Sequence, residues 1–213
     1  MLEARDLSFA YPGKPALYQG FSLAVEPGEH VALRAPSGFG KTTLCSILAG
    51  YLQPTAGSVL VDGRPLPARG ACPVQMIRQH PEHAVDPRLR LGTTLAEAGM
   101  GDGRRVRSLD DPALSKRHRA LLDDLGIREE WLARYPHELS GGELQRFCVA
   151  RALAVDARYL VCDEVSTMLD AVTQARLWRV LVHECEERKL GMVLVSHSPA
   201  LTARVATRVL ELG

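Results

Sequence analysis

HVALRAPSGFGKTTLCSILAGYL, residues 30–52, contains a strand, a loop and a helix in one run. HVALRA (30–35) is mostly apolar and follows the turn signal Pro27-Gly28, so it reads as a buried strand. KTTLCSILAGYL (41–52) places apolar residues at helical spacing and ends at Pro54. The connecting loop is built from small residues. A loop of this kind, entering a helix at its amino end, can aim several backbone N–H groups at phosphate oxygens, and the helix terminus adds partial positive charge. Ala35, Pro36, Ser37, Gly38, Phe39 and Gly40 would form the cradle. Lys41 would reach β and γ phosphates, Thr42 would offer its hydroxyl to magnesium, and Thr43 is placed to touch an α phosphate. The strict pattern asks for glycine where Ala35 stands; were φ > 0 required there, alanine would cost roughly 1–2 kcal/mol. Alone, the segment also fits an ordinary glycine loop ahead of a helix.

Outward from this run, strands and helices alternate. LEARDLSF (2–9) and FSLAVE (21–26) are short β-prone runs, and GSVLVDGRPL (57–66) reads as a hairpin turning at Asp62-Gly63. From about Pro81 to Pro136 helical patterns such as PALSKRHRALLDDLG dominate, and GMGDGRRVR (99–107) reads as an exposed loop within that helical insertion. A helix follows over GGELQRFCVARALAV (141–155), then the apolar strand RYLVCDE (158–164) and the long helix DAVTQARLWRVLVHECEERK (170–189). The strand GMVLVSH (191–197), a short helix and a closing strand TRVLELG (207–213) end the pattern. Such alternation predicts an α/β fold with a mainly parallel sheet and helices on its faces.

The 213 residues, 46% hydrophobic, support one domain with room for two lobes. A formal net charge of +1 supplies no strong field for attracting nucleic acid, so a phosphate ligand must be held locally. No apolar stretch approaches the roughly 18 to 20 residues that span a bilayer, and the amino terminus MLEARDLSFA carries charges where a signal peptide would be apolar. Any membrane role is therefore expected through a partner. Cysteines 45, 72, 148, 162 and 185 are scattered without a C-x-x-C pair, which argues against a disulfide framework or zinc site. Cys45, Cys148 and Cys162 lie in apolar segments and read as small core residues.

YLVCDE (159–164) sets four apolar residues before two acids at a strand's carboxyl end, where parallel sheets place ligands. Asp163 can hold a magnesium shell and Glu164 can polarise an attacking water. The pattern is common alone; downstream of a phosphate loop it gains weight.

LSGGELQR (139–146) resembles the signature of ABC ATPases, and the resemblance spans essentially the whole chain with its motifs in family order. It implies a P-loop NTPase fold: a mainly parallel core sheet, an antiparallel β subdomain and a helical subdomain between phosphate loop and signature. The expected division is a single domain, 1–213, with a nucleotide-binding core at 1–80 and 151–213 and a helical subdomain at about 81–150. It also implies ATP and Mg²⁺ as cofactors and ATP hydrolysis coupled to solute translocation. Glu143 replaces the signature's glutamine but leaves Ser140, Gly141 and Gly142, which in the family close over the γ-phosphate held by an opposite cassette. A serine hydroxyl and glycine N–H groups at a helix start form another anion site.

By motif, Tyr11 matches the aromatic that stacks on adenine. Gln79, in VQMIRQHPEH, matches the loop glutamine that contacts magnesium and the attacking water, with Gln75 as rival and Arg78 where an apolar residue is usual. His197, in VLVSHSP, matches the switch histidine that senses γ-phosphate. STMLD (166–170) resembles the loop ending in the aspartate, here Asp170, that communicates across the dimer.

HPEHAVDPRLRLGTTLAEA and CDEVSTMLDAVTQA resemble ATPases of peptide and nickel importers, which often add a carboxyl-terminal cysteine cluster not found in this sequence. The resemblance thus implies a peripheral subunit at the cytoplasmic face of the cell membrane. Its expected partners are a second ATPase chain, the same or different, separate transmembrane permease subunits and an extracytoplasmic solute-binding protein, with no nucleic acid. The alternative is a soluble ABC-type ATPase acting on a non-transport partner.

Overall fold

The computed structural model of the chain describes residues 1–36, 38–103 and 105–212. Two compact units divide it. One comprises Met1–Met76, Ala157–Glu164 and Cys185–Gly213; the other comprises Ile77–Asp156 and Val165–Glu184.

The first unit contains both sheets. β1 (Leu2–Ala10), β2 (Ala16–Val25), β4 (Ala56–Val61) and β5 (Arg64–Pro65) form an antiparallel sheet in the order β2-β1-β4-β5. The turn between β4 and β5 sets Asp62 at φ 50° and Gly63 at φ 71°, the pair of positive angles that a two-residue hairpin needs to follow the twist of its strands. β3 (His30–Arg34), β6 (Val74–Ile77), β7 (Tyr159–Asp163), β8 (Gly191–Val195) and β9 (Arg208–Glu211) make the second sheet, ordered β6-β7-β8-β3-β9. Its pairings of β7 with β8, β8 with β3 and β3 with β9 are parallel. Burial on both faces explains why β8, and β7 up to its closing Asp163, are apolar runs rather than alternating ones. α1 (Lys41–Leu48) buries Leu44, Cys45, Ile47 and Leu48 in a core shared with Leu2, Leu7, Val31, Leu33, Tyr159 and Val193.

The second unit is helical. α2 (Leu91–Glu97), α3 (Lys116–Asp124) and α4 (Gly141–Ala154) contribute Leu91, Leu95, Leu121, Leu122, Phe147 and Leu153 to its buried interior, with Trp131 and Leu132 from a short 3₁₀ segment. Most of α5 (Ala171–Arg188) lies here, and Trp178 Nε1 donates to Ser166 Oγ at 3.0 Å. α6 (Pro199–Val205), in the first unit, is capped by Ser198. No disulfide links the five cysteines.

Candidate functional site

The parallel register builds the site in the first unit. Val195 at the end of β8 pairs on one side with Leu33 of β3 and on the other with Asp163 of β7. The loop after β3, the acid after β7 and the histidine after β8 therefore leave the sheet at one edge, side by side.

Lys41, only 9% exposed, turns back over the loop after β3 and donates from Nζ to the carbonyls of Ala35 at 2.9 Å and Pro36 at 3.0 Å. Ala35 is not among the described residues with positive φ, so alanine is unstrained where the strict pattern has glycine. The left-handed positions fall to Gly38 at φ 82° and Gly40 at φ 90°. Gly40 caps α1, and a Cβ there would meet the Tyr18 hydroxyl at 2.8 Å. That hydroxyl donates to the Gly40 carbonyl at 2.5 Å, bracing the loop from β2. Burial raises the Tyr18 pKa above the ordinary phenol range and keeps the group a donor. Ser37 lies outside the described residues.

Thr43 Oγ1 is 3.1 Å from the Tyr11 hydroxyl, and the Tyr11 ring stands edge-on to Phe9 at 4.9 Å while remaining 43% exposed. A cavity of about 160 Å³ is lined in part by Ala35, Lys41, Ser196 and His197.

Asp163 closes β7 at 2% exposure. Glu164 follows in the left-handed region at φ 49°, unusual for a residue with a side chain, and its N–H is fixed by the Val195 carbonyl at 3.1 Å. His197 Nε2 lies 2.9 Å from Glu164 Oε1, with the carboxylate mostly buried and the imidazole more than half exposed. The strained backbone thus presents Glu164 to a histidine from the neighbouring strand's loop.

In the second unit, Gln79 is partly buried just beyond the end of β6. Gln75, in the first unit, sits within that strand with its amide on the Cys72 carbonyl at 2.8 Å. In the second unit again, Ser140 caps α4, ahead of Gly141 and Gly142. Its N–H and hydroxyl both donate to Glu143 Oε2 at 2.8 Å, and the Glu143 N–H returns to Ser140 Oγ at 3.4 Å. These bonds, the backbone one first, hold the Glu143 carboxyl below its ordinary range. Asp170 caps α5 by accepting from the N–H groups of Val172 and Thr173.

A family model described as ABC transporter matches residues 18–167. The thiamine import ATP-binding protein ThiQ of Escherichia coli (strain K12) is 34% identical over 212 residues, covering 98% of this chain and 86% of that protein. The nickel import ATP-binding protein NikE of Rhodospirillum rubrum is 36% identical over 230 residues, covering 100% of this chain and 80% of that protein.

This chain belongs to the ABC transporter family.

Membership makes it an ATPase that couples ATP hydrolysis to transport. The fold agrees: a dimeric bacterial ABC transporter cassette superposes with a TM-score of 0.79 at 24% identity, over 100% of this chain and 94% of that one. Tyr18 is the site residue that sequence reading misses in this ABC ATPase. Its position in a half-buried β run carries no signal of the loop it braces; only the left-handed glycine at 40 hints that something approaches closely. Among the described residues no helix is long and apolar enough to cross a membrane.

Proposed function

We propose that this chain is the ATP-hydrolysing subunit of an importer, working at the cytoplasmic face of the membrane with separate permease subunits and a second ATPase chain. The single observation that carries the catalytic part is the His197–Glu164 pair at 2.9 Å, at the sheet edge that also bears the Lys41 loop. Import is supported by relatives named for thiamine and nickel uptake, and the nickel relative agrees with the peptide- and nickel-type resemblance of residues 80–98. An extracytoplasmic solute-binding protein completes such a system.

In this reading Lys41 exchanges the Ala35 and Pro36 carbonyls for β and γ phosphate oxygens, while Gly38, Phe39 and Gly40 supply N–H groups from the loop and Thr42 and Thr43 supply hydroxyls. Tyr11 stacks on the base. Thr42, Asp163 and Gln79 offer hard oxygen donors, and one buried carboxylate with a hydroxyl fits magnesium, which is held by few protein ligands together with phosphates and water. When bound, magnesium neutralises charge on the transferring phosphoryl group. Glu164 takes a proton as water attacks the γ phosphorus; the bond to the β-phosphate oxygen breaks, and ADP and phosphate leave. His197 orients Glu164 and contacts the γ-phosphate. Ser140, Gly141 and Gly142 serve a nucleotide on the paired chain. The chain acts as one domain, a nucleotide-binding core carrying a helical signature subdomain.

A pull-down of the tagged chain from detergent-solubilised membranes tests the assignment. The expected result is retention of a polytopic membrane protein together with ATPase activity. Recovery only in the soluble fraction, bound to ribosomal or DNA-associated proteins, contradicts it.

A further inference from the structure

One face of α4 is zipped to the segment that carries Gln79. Gln145 Nε2 donates to the Arg78 carbonyl at 3.1 Å, Cys148 Sγ to the Pro81 carbonyl at 3.6 Å, and Arg151 Nη1 to the Ala84 carbonyl. Each pair is 67 residues apart, so the two strips advance in step, three residues at a time. Donors at that spacing share one face of an α-helix. The acceptors bracket a 3₁₀ turn at Pro81–His83: Arg78 precedes it, Pro81 opens it and Ala84 caps its end.

Stability alone does not call for this arrangement. Gln145 is 2% exposed, and its Oε1 is a buried acceptor without a hydrogen-bond partner. An apolar side chain of equal volume would avoid the cost of that orphan atom. What it would lose is the donor to Arg78, the residue before Gln79.

We infer that Gln145, Cys148 and Arg151 are positioning residues that fasten the 78–84 segment to the signature helix, so that Gln79 and Ser140 move as one body. The inference rests on the roles proposed above for those two residues. Gln79 serves the nucleotide held by its own chain and Ser140 the nucleotide of the paired chain, so the ladder links events at the two sites.

The test compares wild type with Gln145→Met, Arg151→Met and Arg151→Lys by peptide-resolved hydrogen exchange and by steady-state ATPase kinetics with MgATP. Both methionine variants should exchange about tenfold faster over 78–84, as expected from losing one hydrogen bond, with no change over 159–163. Their kcat should fall by a similar factor while KM stays within about twofold, because the Lys41 loop is untouched. Arg151→Lys keeps a donor and should recover much of both effects. Arg151 is partly exposed, so its variants decide the matter even if Gln145→Met fails to fold. Unaltered exchange over 78–84 in folded variants overturns the ladder, as does faster exchange with unaltered kcat. A wild-type chain that binds no ATP would instead overturn the roles of Gln79 and Ser140, while the exchange comparison still judges the fastening.

Discussion

Glu164 has the strained backbone and buried carboxylate expected of a base that must not wander: φ is 49°, and the side chain is 15% exposed against His197. Replacing it with glutamine keeps the shape and removes the proton acceptor. Glu164→Gln should therefore bind ATP nearly as wild type while hydrolysis slows by roughly 10²- to 10⁴-fold. Turnover close to wild type in a clean preparation would remove Glu164 from the mechanism. Glu143 makes a different, pH-dependent statement. Its carboxyl is held below the ordinary 4.5 by the Ser140 backbone N–H first and the Ser140 hydroxyl second. A lowered carboxyl contributes stability that is fully present above its ordinary value and is lost as pH falls through the lowered one. Urea midpoints should accordingly drop further for wild type than for Glu143→Gln as pH descends below 4.5. Parallel declines would show that the capping box carries no such charge-dependent stabilisation.

At the scale of elements, the strand–loop–helix of β3 and α1 depends on one tight contact. Gly40 needs its φ of 90°, and it also leaves room for the Tyr18 hydroxyl, which would lie 2.8 Å from an added Cβ. Gly40→Ala should cost at least about 1–2 kcal/mol from backbone strain alone, with more from the clash. Tyr18→Phe in the same chain should return only the clash portion, so the double variant should lie between Gly40→Ala and wild type in urea denaturation. A double variant less stable than Gly40→Ala would show that the lost bond to the Gly40 carbonyl outweighs the relieved contact. This strand, loop and helix were legible in the sequence because a mostly apolar strand, small loop residues and helical spacing agree locally. The hairpin at Asp62-Gly63 was legible for the same reason. β6 was not read as a strand: four residues at Val74–Ile77 are too few for a period to emerge, and only its place at the sheet edge defines it. The first half of β2, Ala16–Gly20, was also missed, since its pairing with β1 passes through register shifts that no local pattern announces. At the site, the φ of Ala35 and the hydroxyl of Tyr18 are tertiary facts. The sequence names the residue types but does not contain the angles or contacts that follow from folding.

For the molecule as a whole, the proposed function requires that a complete ATP site be built from two chains. Lys41, Asp163, Glu164 and His197 lie in one compact unit, whereas Ser140 with its glycines opens a helix of the other unit. In the proposed function, the serine cap and two glycines at the start of this 14-residue helix would serve a nucleotide held by another chain. The proposed partner is either identical or a related ATPase, and the identical case permits the most direct measurement. A Lys41→Ala chain lacks the phosphate grip and a Ser140→Arg chain blocks the signature, so neither pure variant has an intact site. In a mixed pair, one site joins the intact Lys41 of one chain to the intact Ser140 of the other. With the chain's self-pairing established by sedimentation, ATPase activity should reappear on mixing and rise with the second power of dilute protein concentration. Mixed pairs that form yet hydrolyse no ATP would contradict the composite site.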